Sequence, residues 1–108
     1  LAPHLRRRLV HYIEQHLDQP LALGELAQLA ALSEYHFARM FSTSFGLPPH
    51  RYVLQRRLRR ARELLLYSAL PLGEIALACG FASASHFSNR FRQAFGAAPG
   101  LLRAARQS

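Results

Sequence analysis

A chain of 108 residues allows one domain with a modest core, and its 50% hydrophobic content marks a folded polypeptide, not a tail. Fourteen basic residues, all arginine, against six acidic ones give a net charge of +8 and a pI near 11.3, which points to a polyanionic partner. The lone Cys79 excludes an internal disulfide and suits a reducing cytoplasm, and no apolar run approaches the ~20 residues of a membrane span or forms a signal peptide.

In chain order, Pro3 suits the first turn of a helix. Leu5, Leu9, Tyr12, Ile13 and Leu17 form one apolar stripe, which predicts a helix from Pro3 to about Leu17. Arg6-Arg7-Arg8 sits at its start, the unfavourable end of the helix dipole for cations, and reads as a solvated face. Asp18-Gln19-Pro20 is a turn. A second helix runs from about Ala22 to Ala30, with Leu26 and Ala27 inward. Ala22 offers no side-chain cap, so the free amides there could face a phosphate or water. A third helix, about Glu34 to Phe45, has Ser33 as its N-cap and Phe37, Phe41 and Phe45 on its inner face. That rotation turns Tyr35, Ala38, Arg39 and Ser42 outward. Gly46 supplies the left-handed stop.

Pro48-Pro49 opens a fourth helix, about Pro49 to Tyr67, with Val53, Leu54, Leu58, Ala61 and Leu65 as its apolar side. Arg51, Arg56, Arg57, Arg59, Arg60 and Arg62 crowd the rest, a solvated face in which some arginines pair with Glu63 or other carboxylates. These residues, at ~1.5 Å each, span roughly 28 Å, against about 34 Å between successive major-groove faces of a DNA duplex. After the linker Ser68-Ala69-Leu70-Pro71, a fifth helix runs from about Leu72 to Cys79. A sixth, about Ala84 to Phe95, is capped by Ser83 and stopped by Gly96. It buries Phe87, Phe91 and Phe95 and turns Ala84, Ser85, His86, Ser88 and Asn89 outward. A seventh, about Pro99 to Arg106, closes the chain with Leu101-Leu102.

The chain repeats itself once. Gly24-Glu25-Leu26-Ala27 matches Gly73-Glu74-Ile75-Ala76 at an offset of 49, from 24 to 73. His36-Phe37, Phe41, Phe45-Gly46 and Pro49 match His86-Phe87, Phe91, Phe95-Gly96 and Pro99 at an offset of 50, from 36 to 86. One copy therefore carries an extra residue in the turn between its two helices. That turn passes Ala31 in one copy and Gly80 in the other, and a sharp reversal there favours glycine. Two short helices joined by a tight turn form the helix-turn-helix pattern, and two copies with matched internal spacing favour a DNA reader over an ordinary helical hairpin.

At this point the sequence resembles the DNA-binding domain of the AraC/XylS family of bacterial transcription regulators. The residues that carry the resemblance are Glu74-Ile75-Ala76, Gly80-Phe81, Phe87, Phe91, Gly96 and Pro99, with Arg57-Leu58, Ala61 and Leu64-Leu65 before them. The resemblance covers almost the whole chain. It implies an all-α fold of seven helices: a first helix-turn-helix subdomain over residues 1–47, a linker helix over 48–67 and a second subdomain over 68–108. It also implies control of promoters, contact with RNA polymerase and an effector or dimerisation domain N-terminal to this segment. A chain that begins at Leu1, not Met, fits the C-terminal part of such a regulator. Asn89 departs from the arginine common in the family at its place, and Ala84, like Ala38 in the first copy, is short; these departures weaken direct reading by the second unit.

The function expected is sequence-specific binding of double-stranded DNA, with two recognition helices in successive major grooves. The base-reading candidates are Tyr35, Ala38, Arg39 and Ser42 in the first copy and Ala84, Ser85, His86 and Asn89 in the second. Arg39 leads them, because arginine can bond a guanine edge twice. Ala22, Arg51, Arg56, Arg90 and Arg92 are the phosphate candidates. Catalysis is not expected: no serine, histidine and aspartate pattern repeats, and Cys79 occupies the place of Ala30, a small apolar position. The six histidines lack paired metal-ligand spacing, so no metal or other cofactor is expected. His36 and His86 stand beside buried phenylalanines, where edge packing suits them. The alternative is a helical protein-interaction or RNA-binding module, which would need an exposed apolar groove or stacking aromatics.

Overall fold

The computed structural model describes residues 1–107, and every regular element among them is helical: α1 (Pro3–Gln15), α2 (Leu23–Leu29), α3 (Glu34–Phe45), α4 (Pro49–Tyr67), α5 (Leu72–Ala78), α6 (Ala84–Phe95) and α7 (Pro99–Gln107). The residues fall into two compact units, one from Leu1 to Arg56 and one from Arg57 onward, so α4 contributes its first two turns to one unit and the remainder to the other. The expected bounds of α3, α4 and α6 match end to end. α1 stops two residues early, at Gln15. His16 leaves helical geometry at φ −123°, and its Nδ1 lies 2.7 Å from the Tyr12 carbonyl, while Leu17 stays fully buried beyond the helix.

In the first unit the core is Leu9, Ile13 and Leu17 from α1 and the segment after it, Leu26, Ala27 and Ala30 around α2, Phe37 and Phe41 from α3, and Val53 from α4. Tyr12 stacks on His16 and donates a hydrogen bond to Glu25, joining α1 to the first turn of α2. That bond raises the Tyr12 phenol above its ordinary range. In the second unit the buried residues are Leu58, Ala61 and Leu65 of α4 with Ile75, Ala76, Cys79, Phe81, Phe87, Phe91 and Pro99. Phe37, Phe41, Phe87 and Phe91 are at most 1% exposed. Burial of each contributes about 1.5–3 kcal/mol.

The last aromatic of each stripe departs from expectation. Phe45 is half-buried and Phe95 is 42% exposed. Each ring stacks or tilts against its neighbour, Phe41 or Phe91, and is roofed by a guanidinium: Arg6 lies 4.6 Å from the Phe45 centroid and Arg62 lies 5.5 Å from that of Phe95. The third position of the stripe has rotated far enough from the core axis to need a cover, and a planar cation over a ring supplies one. Arg6 is therefore an exposed side chain with a packing role, and not simply part of a solvated run.

Both turns between paired helices are Schellman motifs. Leu32 N–H donates to the Ala27 carbonyl and Ala31 N–H to Gln28. In the other unit Phe81 N–H donates to Ala76 and Gly80 N–H to Leu77. The residue that turns the chain has φ 58° at Ala31 and 82° at Gly80, so the alanine is held in the left-handed region. The two N-caps also correspond: Ser33 Oγ accepts from His36 N–H at 3.2 Å and Ser83 Oγ from His86 N–H at 3.0 Å. With the Schellman residues aligned on one side and the caps on the other, the extra residue of the second copy is Ala82.

α7 closes its unit differently from expectation. Leu101 is 66% exposed, and Pro99, Leu102 and Arg103 face inward instead. Arg103 donates from Nε to Leu65 O, from Nη1 to Leu70 O, and from Nη2 to Leu64 O and Ser68 O. Arg106 donates from Nη1 to the carbonyls of Leu65 and Leu66. Leu64, Leu65 and Leu66 belong to the last turn of α4, at the negative end of its dipole, and Ser68 and Leu70 to the linker after it; the Leu64 carbonyl also accepts from Ser68 N–H and Oγ.

Two stability outcomes follow. A left-handed alanine costs about 1 kcal/mol or slightly more, and the extra unfolded-state freedom of glycine returns part of that. Ala31→Gly should therefore stabilise the chain by about 0.5–1 kcal/mol in a denaturant melt; a clear loss would show that the turn does not require positive φ. Arg103→Met keeps the aliphatic stem and removes the donors. It should cost about 1.5–3 kcal/mol, the range for hydrogen bonds to a charged group, and should increase amide exchange at the C-terminal turn of α4.

Candidate nucleic-acid interface

Burial of Phe37 and Phe41 fixes the rotation of α3, and the stripe opposite them is Tyr35, Arg39 and Thr43, all exposed and spaced four residues apart. Tyr35 is 66% exposed. Ala38 and Ser42 are half-buried and lie beside this stripe. The Ser42 carbonyl accepts from Gly46 N–H at 2.9 Å, and Thr43 Oγ1 donates to the Arg39 carbonyl at 3.0 Å. Arg39 does not project alone: its Nη1 donates to the Tyr35 hydroxyl at 3.0 Å and its guanidinium carbon lies 5.6 Å from the Tyr35 ring centroid. His36 is exposed and meets Tyr35 edge-on.

In α6 the same construction gives Ser85, Asn89 and Gln93 as the exposed stripe, with Ala84 and His86 also exposed. His86 packs edge-on against Phe81, the packing expected of it. Asn89 Oδ1 accepts from Arg92 Nη2 at 3.1 Å, which ties one base-reading candidate to one phosphate candidate. Thr43 and Gln93 were not singled out from the sequence, although the four-residue spacing that selects Tyr35 and Arg39, or Ser85 and Asn89, extends to them.

The phosphate candidates separate into two groups. Arg51, Arg90 and Arg92 are exposed. Arg56 is half-buried and ion-paired with Glu14 of α1, Nε to Oε1 at 2.5 Å, so its charge is opposed inside its own unit. Ala22 is exposed at the start of α2, without a side-chain cap, and its carbonyl accepts from Glu25 and Leu26. Glu25 in that first turn already complements the dipole.

Cys79 is fully buried, and burial pushes its thiol up to about 11 against the opposing pull of Arg60 and Arg57. A thiol in that state is a poor nucleophile at neutral pH. The same desolvation lowers the Arg57 guanidinium from its ordinary value. Among the described residues no group of three or more His, Cys, Asp or Glu is placed to hold a metal ion, and no helix is long and apolar enough to cross a membrane.

The profile of the helix-turn-helix domain family matches residues 26–105. A probable transcriptional regulator, LumQ of Photobacterium leiognathi, is 40% identical over 89 residues, which cover 82% of this chain and 36% of that protein. The chain spans between 25% and 36% of the length of the first curated relatives it matches. Among solved structures, an AraC-type DNA-binding domain-containing regulator from Chromobacterium violaceum superposes with a TM-score of 0.84 at 35% identity, covering 93% of this chain and 89% of that one. The DNA-binding domain of AdpA, a global transcriptional factor solved with a target DNA, superposes with a TM-score of 0.89 at 30% identity, covering 94% and 91%.

Proposed function

We propose that this chain, which belongs to the AraC-type family of helix-turn-helix proteins, binds double-stranded DNA sequence-specifically and regulates transcription. The observation that carries the reading is the pair of exposed stripes on α3 and α6, each fixed by buried phenylalanines, on a chain of net charge +8. The target DNA held by the AdpA domain supports it from outside. Arginine on phosphate supplies affinity that falls with salt, and a few side chains on base edges supply choice. Arg39 is the principal base reader, with Tyr35, Ala38 and Ser42 beside it. Ala84, Ser85, His86 and Asn89 form the weaker second surface. Arg51, Arg90, Arg92 and the α2 amides after Ala22 contact phosphates.

The chain carries no catalytic step in this reading; the chemistry is recognition alone. It works in the cytoplasm beside RNA polymerase, under an effector or dimerisation domain N-terminal to it. Each of the two helix-turn-helix units serves one major-groove segment, and α4, 19 residues long, joins them in the chain. A site for one chain is therefore not a palindrome, because a twofold pair would mirror its half-sites while these two stripes differ in every residue.

Selection of duplexes from a random library with this chain, followed by footprinting, tests the reading. Arg39→Ala should weaken binding to the selected site by about 1–3 kcal/mol and relax choice at one base pair, measured by titration against single-base variants at fixed salt. Equal weakening on every variant would make Arg39 a phosphate contact. Inserting five base pairs between the half-sites rotates one by half a turn and should abolish simultaneous protection of both. Two chains on a mirrored site by sedimentation, or tolerance of the insertion, would refute the reading of two groove segments by one chain.

A further inference from the structure

We infer that Tyr35 is a positioning residue for Arg39: its hydroxyl and ring hold the guanidinium in one orientation before DNA arrives, and this ordering sets the sharpness of base choice in the first unit. The inference rests on the reading of α3 as a base-reading helix. A solvent-exposed arginine ordinarily samples many rotamers, and fixing it on a base edge costs that freedom. Here two contacts from one residue restrict it. Nη1 donates to the Tyr35 hydroxyl at 3.0 Å, and the guanidinium carbon lies 5.6 Å from the ring centroid.

The geometry leaves Arg39 able to read. A guanidinium has five N–H donors, and the tyrosine takes one. The remaining donors suffice for a two-bond contact with a guanine edge. The tyrosine is anchored in turn, since His36 meets its ring edge-on at 5.8 Å and Ser33 Oγ lies 3.2 Å from His36 Nδ1. The fold does not impose this arrangement. In the second unit the matching positions are Ser85 and Asn89, and Asn89 bonds forward to Arg92 instead. The stripe of α6, Ser85, Asn89 and Gln93, carries no cation of its own.

Tyr35→Phe tests the role, because it keeps the ring and its packing and removes the acceptor. Both residues are exposed, so the denaturant midpoint should not move. On the duplex selected with this chain, the preference at the base pair read by Arg39 should fall about threefold to tenfold. In the Arg39→Ala background the same change should have no effect on that preference. Unchanged preference in Tyr35→Phe, or an equal loss with and without Arg39, overturns the positioning role while leaving α3 as the reader. If Arg39→Ala itself alters no single base preference, the reading of α3 and this inference fail together. A loss spread evenly over all base pairs would show that the hydroxyl acts apart from Arg39 and also overturn the inference.

Discussion

The paired phenylalanines of α3 and α6 are the constraint on which the rest of the molecule depends. Two aromatic rings four residues apart, each almost wholly withdrawn from water, leave a helix one acceptable rotation about its axis. Rotating either helix by half a turn about its axis would expose several kcal/mol of apolar surface and bury Arg39 or Asn89 in its place. The exposed stripes are thus consequences of the core. The serine caps and left-handed glycines limit where each helix begins and ends, so the stripe has a defined length as well as a defined direction.

All the basic residues are arginine, and the structure divides their labour. Arg103 and Arg106 donate to carbonyls of the last turn of α4 and of the linker after it. Arg6 and Arg62 cover the terminal phenylalanines, and Arg56 meets Glu14. Planarity serves these tasks: one flat cation can fork between carbonyls or lie on a ring, where an ammonium would act as a point charge. Under the proposed function, the arginines at the surface of α3, α6 and the start of α4 are the ones left for DNA. A raw count of basic residues therefore overstates the contact surface, since several guanidinium groups are parts of the fold.

The two units share a plan and differ in finish. The first turn strains an alanine where the second has glycine, and the second carries the extra Ala82 before its cap. The first reading helix holds an ordered tyrosine and arginine pair. The second presents short polar side chains with Asn89 bonded to Arg92. Under the proposed function, this asymmetry gives the first unit the stronger discrimination.

Much of this was legible in the residues. Periodic apolar positions, capping serines and stopping glycines act over three or four residues, so the element order, the ends of α3, α4 and α6 and the outward placement of Tyr35, Arg39, Ser85 and Asn89 could be read directly. The one-residue offset was visible as well, though not its location at Ala82, which required the Schellman hydrogen bonds. What could not be read were contacts between residues distant in the chain. Arg103 reaches Leu64 across 39 positions, and Arg56 reaches Glu14 across 42. Leu101 and Phe95 looked like core residues by type and spacing, yet the packing around them ran out first. A local pattern reports which side of a helix is apolar. Which residues on that side are covered, and which cation is spent doing so, depends on the helices brought against it by folding.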